Sequence, residues 1–248
     1  MEGIDFSKIF HQSSKNYFKK LSKLPQKKYE DWPEAWKTTY YKTYPRLPKV
    51  DLEDNPPVGK DFFELIKKRR SRRDFKKNSV SKTELSLILK YSCGIKGEAH
   101  EGHHHRAQPS GGALFPIEVY PIIFRSGADL KSGLYHYNVK DHKLDVLWDR
   151  EFSEKDIKEL FTYEWVKDSG LTLVMTAVFW RSQQKYGQRG YRNILLEAGH
   201  IGQNVYLVSE ALGLKCCAFS GTFDDNLEKL IDIDGITESV VYALAVGK

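Results

Sequence analysis

The amino-acid sequence predicts an α+β fold, in which an antiparallel-rich central sheet is flanked by helices. Two observations predict it: six short apolar or alternating runs typical of strands, and one long stretch with helical periodicity. The strand runs are 117–124, 133–137, 143–148, 171–179, 215–220 and 240–246. The long helix is predicted over 192–212, where an apolar stripe comprises Leu195, Ala198, Ile201, Val205 and Val208. Such elements pack as layers around one core.

Two further helices are predicted at the start of the body. The first covers 61–66, and the second begins at a capping box in which Ser81 accepts from the amide of Glu84 while Glu84 reaches back. Val80 and Leu85 occupy the two hydrophobic staple positions of that second helix. The sequence therefore predicts where this helix starts as well as that it exists.

The chain has 248 residues, of which 40% are hydrophobic, and this suffices for one substantial core. We expect one body, residues 58–248, preceded by an arm, residues 1–57, which has no sustained period and carries breakers such as 31–33 and 55–57. The arm is rich in aromatics, namely Tyr29, Trp32, Trp36, Tyr40 and Tyr41. Because exposed aromatics are costly, we expect them to dock on the body or on a second subunit.

Charge and cysteine content set the expected compartment and partners. A net charge of +6 favours an anionic ligand or an acidic partner, although most charges should form an ordinary solvated surface. Three cysteines, Cys93, Cys216 and Cys217, offer no plausible disulfide framework, so we expect a reducing cytoplasm. No signal peptide or membrane span is expected. Nucleic-acid binding is not expected either, since no reading element accompanies the basic residues.

The densest cationic segment is 67–75, with four arginines and one serine at the end of the first body helix. Guanidinium forks and a hydroxyl suit a phosphate group. The alternative is that cations at a helix C-terminus merely complement its dipole.

A second segment, 106–116, places a glycine pair after Pro109-Ser110. Glycines allow backbone amides to approach a flat ring or a sugar chain closely. The alternative is a simple turn leading into the strand that starts at Ile117.

A third segment, 185–192, is predicted as a loop that opens the long helix and offers a lysine, two tyrosines and two arginines. If buried and crowded by Arg181 and Arg189, Lys185 would have a lowered pKa and could act as a base near neutral pH. The alternative is a solvated basic loop.

Four histidines lie in the run 100–106, at His100, His103, His104 and His105. We interpret them as a solvated polar turn. The alternative is a metal site, which we do not expect because no cysteine or carboxylate lies at a familiar ligand spacing apart from Glu98 and Glu101. His200 and the pair Cys216-Cys217 are interpreted as structural.

The three segments, in this order and at these spacings, resemble the SagB/ThcOx-type dehydrogenases of the nitroreductase-like superfamily, from about Phe62 to the C-terminus. Arg69 to Phe75 is similar to the family's flavin-phosphate motif, and Pro109 to Leu114 to its Pro-Ser-Gly-Gly loop. Leu196 to Asn204 is similar to its long-helix signature, which is the most specific of the motifs. The stretch 220–223 resembles a phosphate-side loop, and 11–15 resembles an arm motif of the subgroup.

The resemblance implies a nitroreductase-like fold, an intertwined homodimer and bound FMN. Residues implied in cofactor binding are Arg69, Arg70, Ser71, Arg73, Pro109, Ser110, Gly111, Gly112, Gln203, Ser220, Gly221 and Lys248. Lys248 is included because many nitroreductases continue to a further phosphate-binding cation, for which it could substitute. Pro109 to Gly112 would line the isoalloxazine from a neighbouring subunit.

The resemblance also implies the reaction, because Lys185-Tyr186 matches a pair needed by azole-forming members. We expect dehydrogenation of a thiazoline or oxazoline in a peptide, with Lys185 as base and Tyr186 as proton donor or positioning group, and dioxygen to reoxidise the flavin. No cyclodehydratase-like extension is present, so a separate protein would make the azoline. Two alternatives stay open: an NAD(P)H-dependent nitroreductase or quinone reductase, and a scaffold of a peptide-modifying complex, either a flavoprotein or free of flavin.

Overall fold

A seven-stranded antiparallel sheet forms the centre of the protein. The structure is a computed structural model that describes residues 6–16, 28–54, 59–100 and 103–248. The sheet strands are β1 (Lys49–Asp51), β4 (Ile117–Ile123), β5 (Gly133–Asn138), β6 (Lys143–Asp149), β7 (Leu171–Val178), β8 (Lys215–Phe219) and β9 (Glu238–Gly247). Their order is β1-β6-β5-β4-β7-β9-β8, and every pairing is antiparallel. The predicted antiparallel-rich sheet is confirmed, with strand ends shifted by a few residues.

Helices cover both faces of the sheet. They are α1 (Phe6–Ser13), α2 (Glu34–Lys37), α3 (Phe62–Lys68), α4 (Lys82–Cys93), α5 (Glu154–Leu160), α6 (Phe179–Tyr186), α7 (Arg189–Ala211) and α8 (Asp224–Ile231). One core cluster joins α4 and α7 to the sheet, and a second joins α5 and α8 to it. Because both faces are covered, β4 and β7 are buried almost throughout. Polar residues within them, such as Glu118 and Thr176, form hydrogen bonds to other side chains. The α+β prediction is therefore confirmed.

The predicted start of α4 is confirmed in detail. The Glu84 amide donates to Ser81 Oγ at 3.2 Å, and the Ser81 amide donates to a Glu84 carboxylate oxygen at 2.8 Å. Val80 and Leu85 are both buried. These bonds satisfy backbone donors that the first helical turn leaves free.

Two local predictions were wrong. Residues 185–192 do not form a loop: Lys185 and Tyr186 end α6, and only Gly187 and Gln188 separate it from α7. Gly187 has φ 55 and ψ −140, a conformation that glycine alone adopts easily, so a reversal of two residues suffices. The histidine run is not a polar turn, because β2 (Ile95–His100) and β3 (His103–Arg106) pair as a separate two-stranded sheet.

The described part of the arm contacts the body at several places. Lys42 Nζ donates to Glu238 at 2.6 Å, and the Trp36 indole donates to the Gln184 carbonyl at 3.2 Å. Strand β1 extends the sheet beyond β6, which the sequence did not predict. The breakers at 55–57 and the boundary between 57 and 58 lie outside the described residues. No described helix is both long and apolar enough to span a membrane.

Candidate active site

The glycine-pair loop is anchored at its serine. Ser110 Oγ accepts a hydrogen bond from the Phe115 amide at 3.0 Å and donates one to Glu197 of α7 at 2.5 Å. Gly112 has φ 68, the left-handed region that a glycine occupies without strain. Both glycines are exposed, so backbone without side chains faces the surface here. Such a surface allows the close approach of a flat ring.

The lysine and tyrosine at the end of α6 lie against this loop. A Cβ atom placed on Gly112 would lie 2.7 Å from Tyr186 Oη and 3.0 Å from Lys185 Nζ. Gly111 lies similarly close to α7, since a Cβ there would be 3.3 Å from the Asn193 side-chain nitrogen. The structure thus brings together two segments that are more than 70 positions apart in the chain, at a place where any side chain larger than hydrogen would intrude.

Two tryptophans of the arm complete the surroundings of Lys185. Its Nζ lies 3.6 Å from the centre of the Trp32 ring and 5.9 Å from that of Trp36. Burial lowers the pKa of Lys185 and raises the pKa of Tyr186. A lowered pKa of Lys185 was predicted from two causes. Partial burial is confirmed as a cause, whereas crowding by Arg181 and Arg189 is not one.

The two arginines are engaged elsewhere. Arg181 is buried and binds Glu118 at 2.6 Å, while Arg189 donates to the Ser14 carbonyl at 3.2 Å. Desolvation alone therefore accounts for the direction of the lysine shift.

The arm motif of residues 11–15 docks near the start of α7. Arg192 donates to Ser14 Oγ at 2.7 Å and to the His11 carbonyl at 2.7 Å. Ser14 is buried, and Phe10 packs edge-on against Tyr191 with ring centres 5.2 Å apart. These contacts hold the first described helix beside the element that carries Asn193.

The arginine segment runs from the end of α3 past Tyr206 of α7. Arg69 lies over the Tyr206 ring, 5.1 Å from its centre, and Ser71 Oγ lies 2.9 Å from Tyr206 Oη. Tyr206 Oη also accepts from the Ala218 amide at 2.7 Å, which fixes the ring against β8.

The other two arginines have separate surroundings. Arg73 lies over the Trp165 ring, 5.8 Å from its centre. Arg70 is exposed and bonds only backbone carbonyls of its own segment among the contacts described.

The other predicted cofactor residues are more dispersed. Gly221 lies against Thr162 and Tyr163, and Ser220 beside it is exposed. Tyr163 stacks on Trp165, so Gly221 and Arg73 contact the same aromatic pair.

Gln203 and Lys248 lie apart from this pair. Gln203 is exposed on α7. Lys248 pairs with Glu84 at 3.6 Å, an ion pair the sequence did not predict.

Glu197 is a residue that sequence reasoning missed. Its side chain is 2% exposed, and burial raises the pKa of its carboxyl to about 7, although hydrogen bonds from Ser110 and Gln108 oppose the shift. The signal was present, because Glu197 interrupts the buried stripe that runs through Ile194 and Ile201. A carboxylate at such a position is rarely tolerated without partners.

The donor set fits a flavin nucleotide. Arg69, Ser71 and Arg73 present guanidinium and hydroxyl groups of the kind that bind phosphate, and the glycine pair offers bare backbone to a planar ring. Among the described residues, no group of three or more His, Cys, Asp or Glu side chains is arranged to hold a metal ion.

Residues 66–248 match the sequence profile of the nitroreductase family. The chain belongs to the nitroreductase family. It is 28% identical over 170 residues to a protein of Methanocaldococcus jannaschii named as a nitroreductase, covering 68% of this chain and 83% of that one. The family resemblance and the nitroreductase-like fold predicted from the sequence are confirmed.

Two further relatives are named for the processing of trifolitoxin and of microcin B17. The trifolitoxin-processing protein TfxB of Rhizobium leguminosarum is 32% identical over 180 residues, covering 68% of this chain and 48% of TfxB. The microcin B17-processing protein McbC of Escherichia coli is 29% identical over 169 residues, covering 63% of this chain and 60% of McbC. This nitroreductase-family chain therefore spans about half to three fifths of their lengths, and its similarity to them supports the SagB-type branch.

Solved structures show the same fold. The Escherichia coli microcin synthetase McbBCD complex with bound truncated pro-microcin contains a chain that matches with a TM-score of 0.63 and 21% identity, covering 98% of this chain and 91% of that one. A nitroreductase-family protein of Exiguobacterium sibiricum in complex with FMN matches with a TM-score of 0.53 and 16% identity, covering 78% of this chain and 90% of that one.

Proposed function

We propose that this nitroreductase-family protein is an FMN-dependent dehydrogenase that oxidises thiazoline or oxazoline rings in a peptide to the corresponding azoles. The observation that carries the proposal is the position of Lys185 and Tyr186 directly against Gly112 of the Pro-Ser-Gly-Gly loop. A general base and a phenol beside the bare-backbone loop are what removal of a ring proton requires. Similarity to TfxB and McbC supports a peptide substrate.

Lys185 is the proposed base. Burial favours its neutral amine by lowering its pKa, and the neutral amine can accept a proton from the azoline ring. Tyr186 keeps its proton because burial raises its pKa, so it can donate a hydrogen bond or a proton to the ring heteroatom or position the substrate. Both side chains are part-buried, which leaves each with a face that a substrate can reach.

FMN is the proposed cofactor, and when bound it supplies the two-electron acceptor for the ring oxidation. Arg69, Arg70, Ser71 and Arg73 are proposed to hold its phosphate and ribityl chain, with Ser220, Gly221, Gln203 and Lys248 as further contacts. Pro109, Ser110, Gly111 and Gly112 are proposed to line its ring. FMN bound in family structures such as that of Exiguobacterium sibiricum supports this assignment.

A homodimer is proposed as the functional unit. Helix α7 leaves Leu195 43% exposed and Leu196 63% exposed, next to the buried Glu197 and the site loop. Two adjacent exposed leucines on a long helix are typical of a surface that a partner covers. We propose that a second copy covers them and shares the flavin site.

The proposed partners are a peptide and a separate cyclodehydratase. The solved microcin synthetase complex, to which this chain is similar in fold, contains a bound pro-microcin and several different subunits. The three described cysteines are free and buried, which fits the reducing cytoplasm proposed for such a reaction.

The test uses the purified full chain and a synthetic peptide that carries one thiazoline. We expect a yellow protein with a flavin absorbance band, and loss of two hydrogens from the peptide by mass spectrometry. Lys185→Ala should keep the bound flavin and lose turnover, because the base is gone while the arginine segment is intact. Lys155→Ala, at an exposed lysine of α5, is the matched control and should behave as wild type.

A second candidate is an NAD(P)H-dependent nitroreductase, favoured by the similarity to the Methanocaldococcus jannaschii relative over 83% of its length. Rapid anaerobic bleaching of the flavin by NAD(P)H, with no change in the thiazoline peptide, would decide for it. A protein that binds neither flavin nor substrate but holds a partner tightly would instead indicate the scaffold role.

A further inference from the structure

The carboxylate of Glu197 lies behind the loop that carries the glycine pair. One of its oxygens accepts from Ser110 Oγ at 2.5 Å, and the other accepts from Gln108 Nε2 at 3.2 Å. Gln108 is itself 2% exposed. Each carboxylate oxygen therefore accepts a hydrogen bond from a different side chain of the same segment. The carboxylate lies on the side of the loop that faces away from solvent.

Ser110 also bonds the backbone of the loop on the far side of the glycine pair. Its hydroxyl oxygen accepts from the Phe115 amide at 3.0 Å, and its carbonyl accepts from the Ala113 amide at 3.1 Å. Gly111 and Gly112 lie between these bonded residues, and Gly112 is the glycine against Lys185 and Tyr186. A shift of Ser110 therefore changes the surface that the glycine pair presents to the lysine and tyrosine.

Packing alone does not explain a carboxylate at this position. The neighbouring buried residues of α7, namely Ile194, Ala198, Ile201 and Val205, are apolar and fill the core between α7 and the sheet. Burying a carboxylate costs free energy that a leucine or methionine would not incur. What the acid provides here, and an apolar side chain would not, is the pair of hydrogen bonds to the loop.

We propose that Glu197 is a positioning residue, which holds the Pro109–Gly112 loop in the shape that binds the flavin ring opposite Lys185 and Tyr186. The proposal rests on the proposed function, because it concerns the same FMN site. Glu197 acts through Ser110 and need not touch substrate or cofactor itself.

Titration of Glu197 offers a way to test this role. Burial raises the pKa of Glu197 to about 7, opposed by bonds from Ser110 and Gln108 and by the charges of Arg106 on β3 and Arg181 on α6. Cys93 of α4 also faces it, and burial raises the pKa of that thiol to about 12, so the thiol stays neutral. Most of the effect of the Arg181 charge is balanced by its ion pair with Glu118.

Protonation changes what Glu197 can do for Ser110. The carboxylate accepts a charge-assisted bond from the serine hydroxyl, which is stronger than a bond between neutral groups. The protonated acid can still accept from Ser110, but only through a neutral oxygen, and its new hydroxyl must itself donate. Gln108 Oε1, which has no partner within the described residues, becomes available to that hydroxyl when the amide turns. The bond that anchors Ser110 is therefore strongest above the pKa of Glu197.

The experiment measures the dissociation constant of FMN from the flavin-stripped full chain, by quenching of flavin fluorescence, at about pH 6 and about pH 8. The wild type should bind FMN roughly tenfold more tightly at the higher pH, because one charge-assisted bond is gained. Glu197→Gln keeps the size and a neutral acceptor but cannot titrate. Its affinity should therefore change with pH only as far as titration of the FMN phosphate itself requires, and should be close to that of the wild type at the lower pH.

Two further variants sharpen the result. Ser110→Ala removes the linking hydroxyl and should reduce the pH dependence to the same residual level as Glu197→Gln. Glu159→Gln, the same substitution at an exposed site on α5, should retain the wild-type dependence. A residue that only supported the core would lower stability in Glu197→Gln without changing how FMN affinity responds to pH.

The outcomes separate the two proposals. Tight FMN binding that is equal at both pH values in the wild type, or a Glu197→Gln protein with the wild-type pH response, would overturn the positioning role alone. A wild-type chain that binds no FMN at either pH would overturn the proposed function and this inference together.

Discussion

The ammonium nitrogen of Lys185 lies 3.6 Å from the centre of the Trp32 ring, so the proposed base is covered by an aromatic residue of the arm. Two opposing effects meet there. Burial favours the neutral amine, whereas the negative face of an indole favours the ammonium form. The arm therefore contributes to the chemistry of the site as well as to its packing.

Replacing Trp32 with leucine should lower the pKa of Lys185 further. Leucine keeps water out but lacks the ring face, and an exposed to part-buried cation–π contact contributes about 1 kcal/mol, which is somewhat less than one pKa unit. The acid limb of the pH profile of kcat/KM for thiazoline oxidation should therefore move to lower pH. Trp32→Phe keeps a ring and is the control. If the acid limb of the Trp32→Leu profile is unchanged or moves to higher pH, the Trp32 ring does not stabilise the charged form of Lys185.

Replacing Gly112 with alanine should damage turnover more than stability. The residue has φ 68, and a Cβ would come within 2.7 Å of Tyr186 Oη and 3.0 Å of Lys185 Nζ, so the two side chains must move. We expect a loss of about 1 kcal/mol of unfolding free energy from the backbone conformation and at least a tenfold loss of kcat/KM.

Gly213→Ala is the matched control for this change. Gly213 has φ 73, but nothing lies within 4 Å of the added carbon. An alanine there therefore introduces the same backbone strain without displacing any neighbouring side chain. Thiazoline oxidation should be nearly unaffected there. Equal losses of turnover in the two variants would show that the contact with Lys185 and Tyr186 is unimportant.

Replacing Arg181 with methionine should strongly destabilise the fold. Burial by itself raises the pKa of Glu118, but Arg181 and His136 outweigh it and lower the pKa to about 2, so the acid is charged in the core. Removing the arginine leaves that charge partly uncompensated, at a cost of about 3–5 kcal/mol in urea unfolding. Arg150→Met breaks a half-exposed pair with Asp156 and should cost less than about 1 kcal/mol. Similar losses of unfolding free energy in Arg181→Met and Arg150→Met would show that the buried pair matters no more than the half-exposed one.

Replacing Glu197 with glutamine should also change how stability depends on pH. The folded pKa, about 7, is above the ordinary value of 4.5, so the folded protein binds the proton more tightly than the unfolded chain. That stabilisation is complete below about pH 4.5 and is lost as the pH rises through about 7, a difference of roughly 3 kcal/mol.

Glu197→Gln should lack this contribution. The difference in unfolding free energy between wild type and variant, measured by urea unfolding at several pH values, should therefore favour the wild type more at low pH than at high pH. A difference that is constant across this range would show that Glu197 titrates normally.

Local sequence determined the framework of this protein. Alternating and continuous apolar runs predicted the body strands of the sheet, and the Ser81-Glu84 pair predicted the start of α4, because these features depend on neighbours within a few residues. The motifs of residues 69–75, 109–114 and 196–204 were enough to recognise the family.

The tertiary structure alone decided how those motifs meet. Ser110 and Glu197 are 87 residues apart, so no local pattern shows their hydrogen bond. Trp32 covers Lys185 because the arm folds back over α6, and Lys185 ends a helix because Gly187 reverses the chain after it. Burial, which shifts the pKa values of Lys185 and Glu197, is a property of the packed molecule, whereas the sequence determines only which groups are there to be buried.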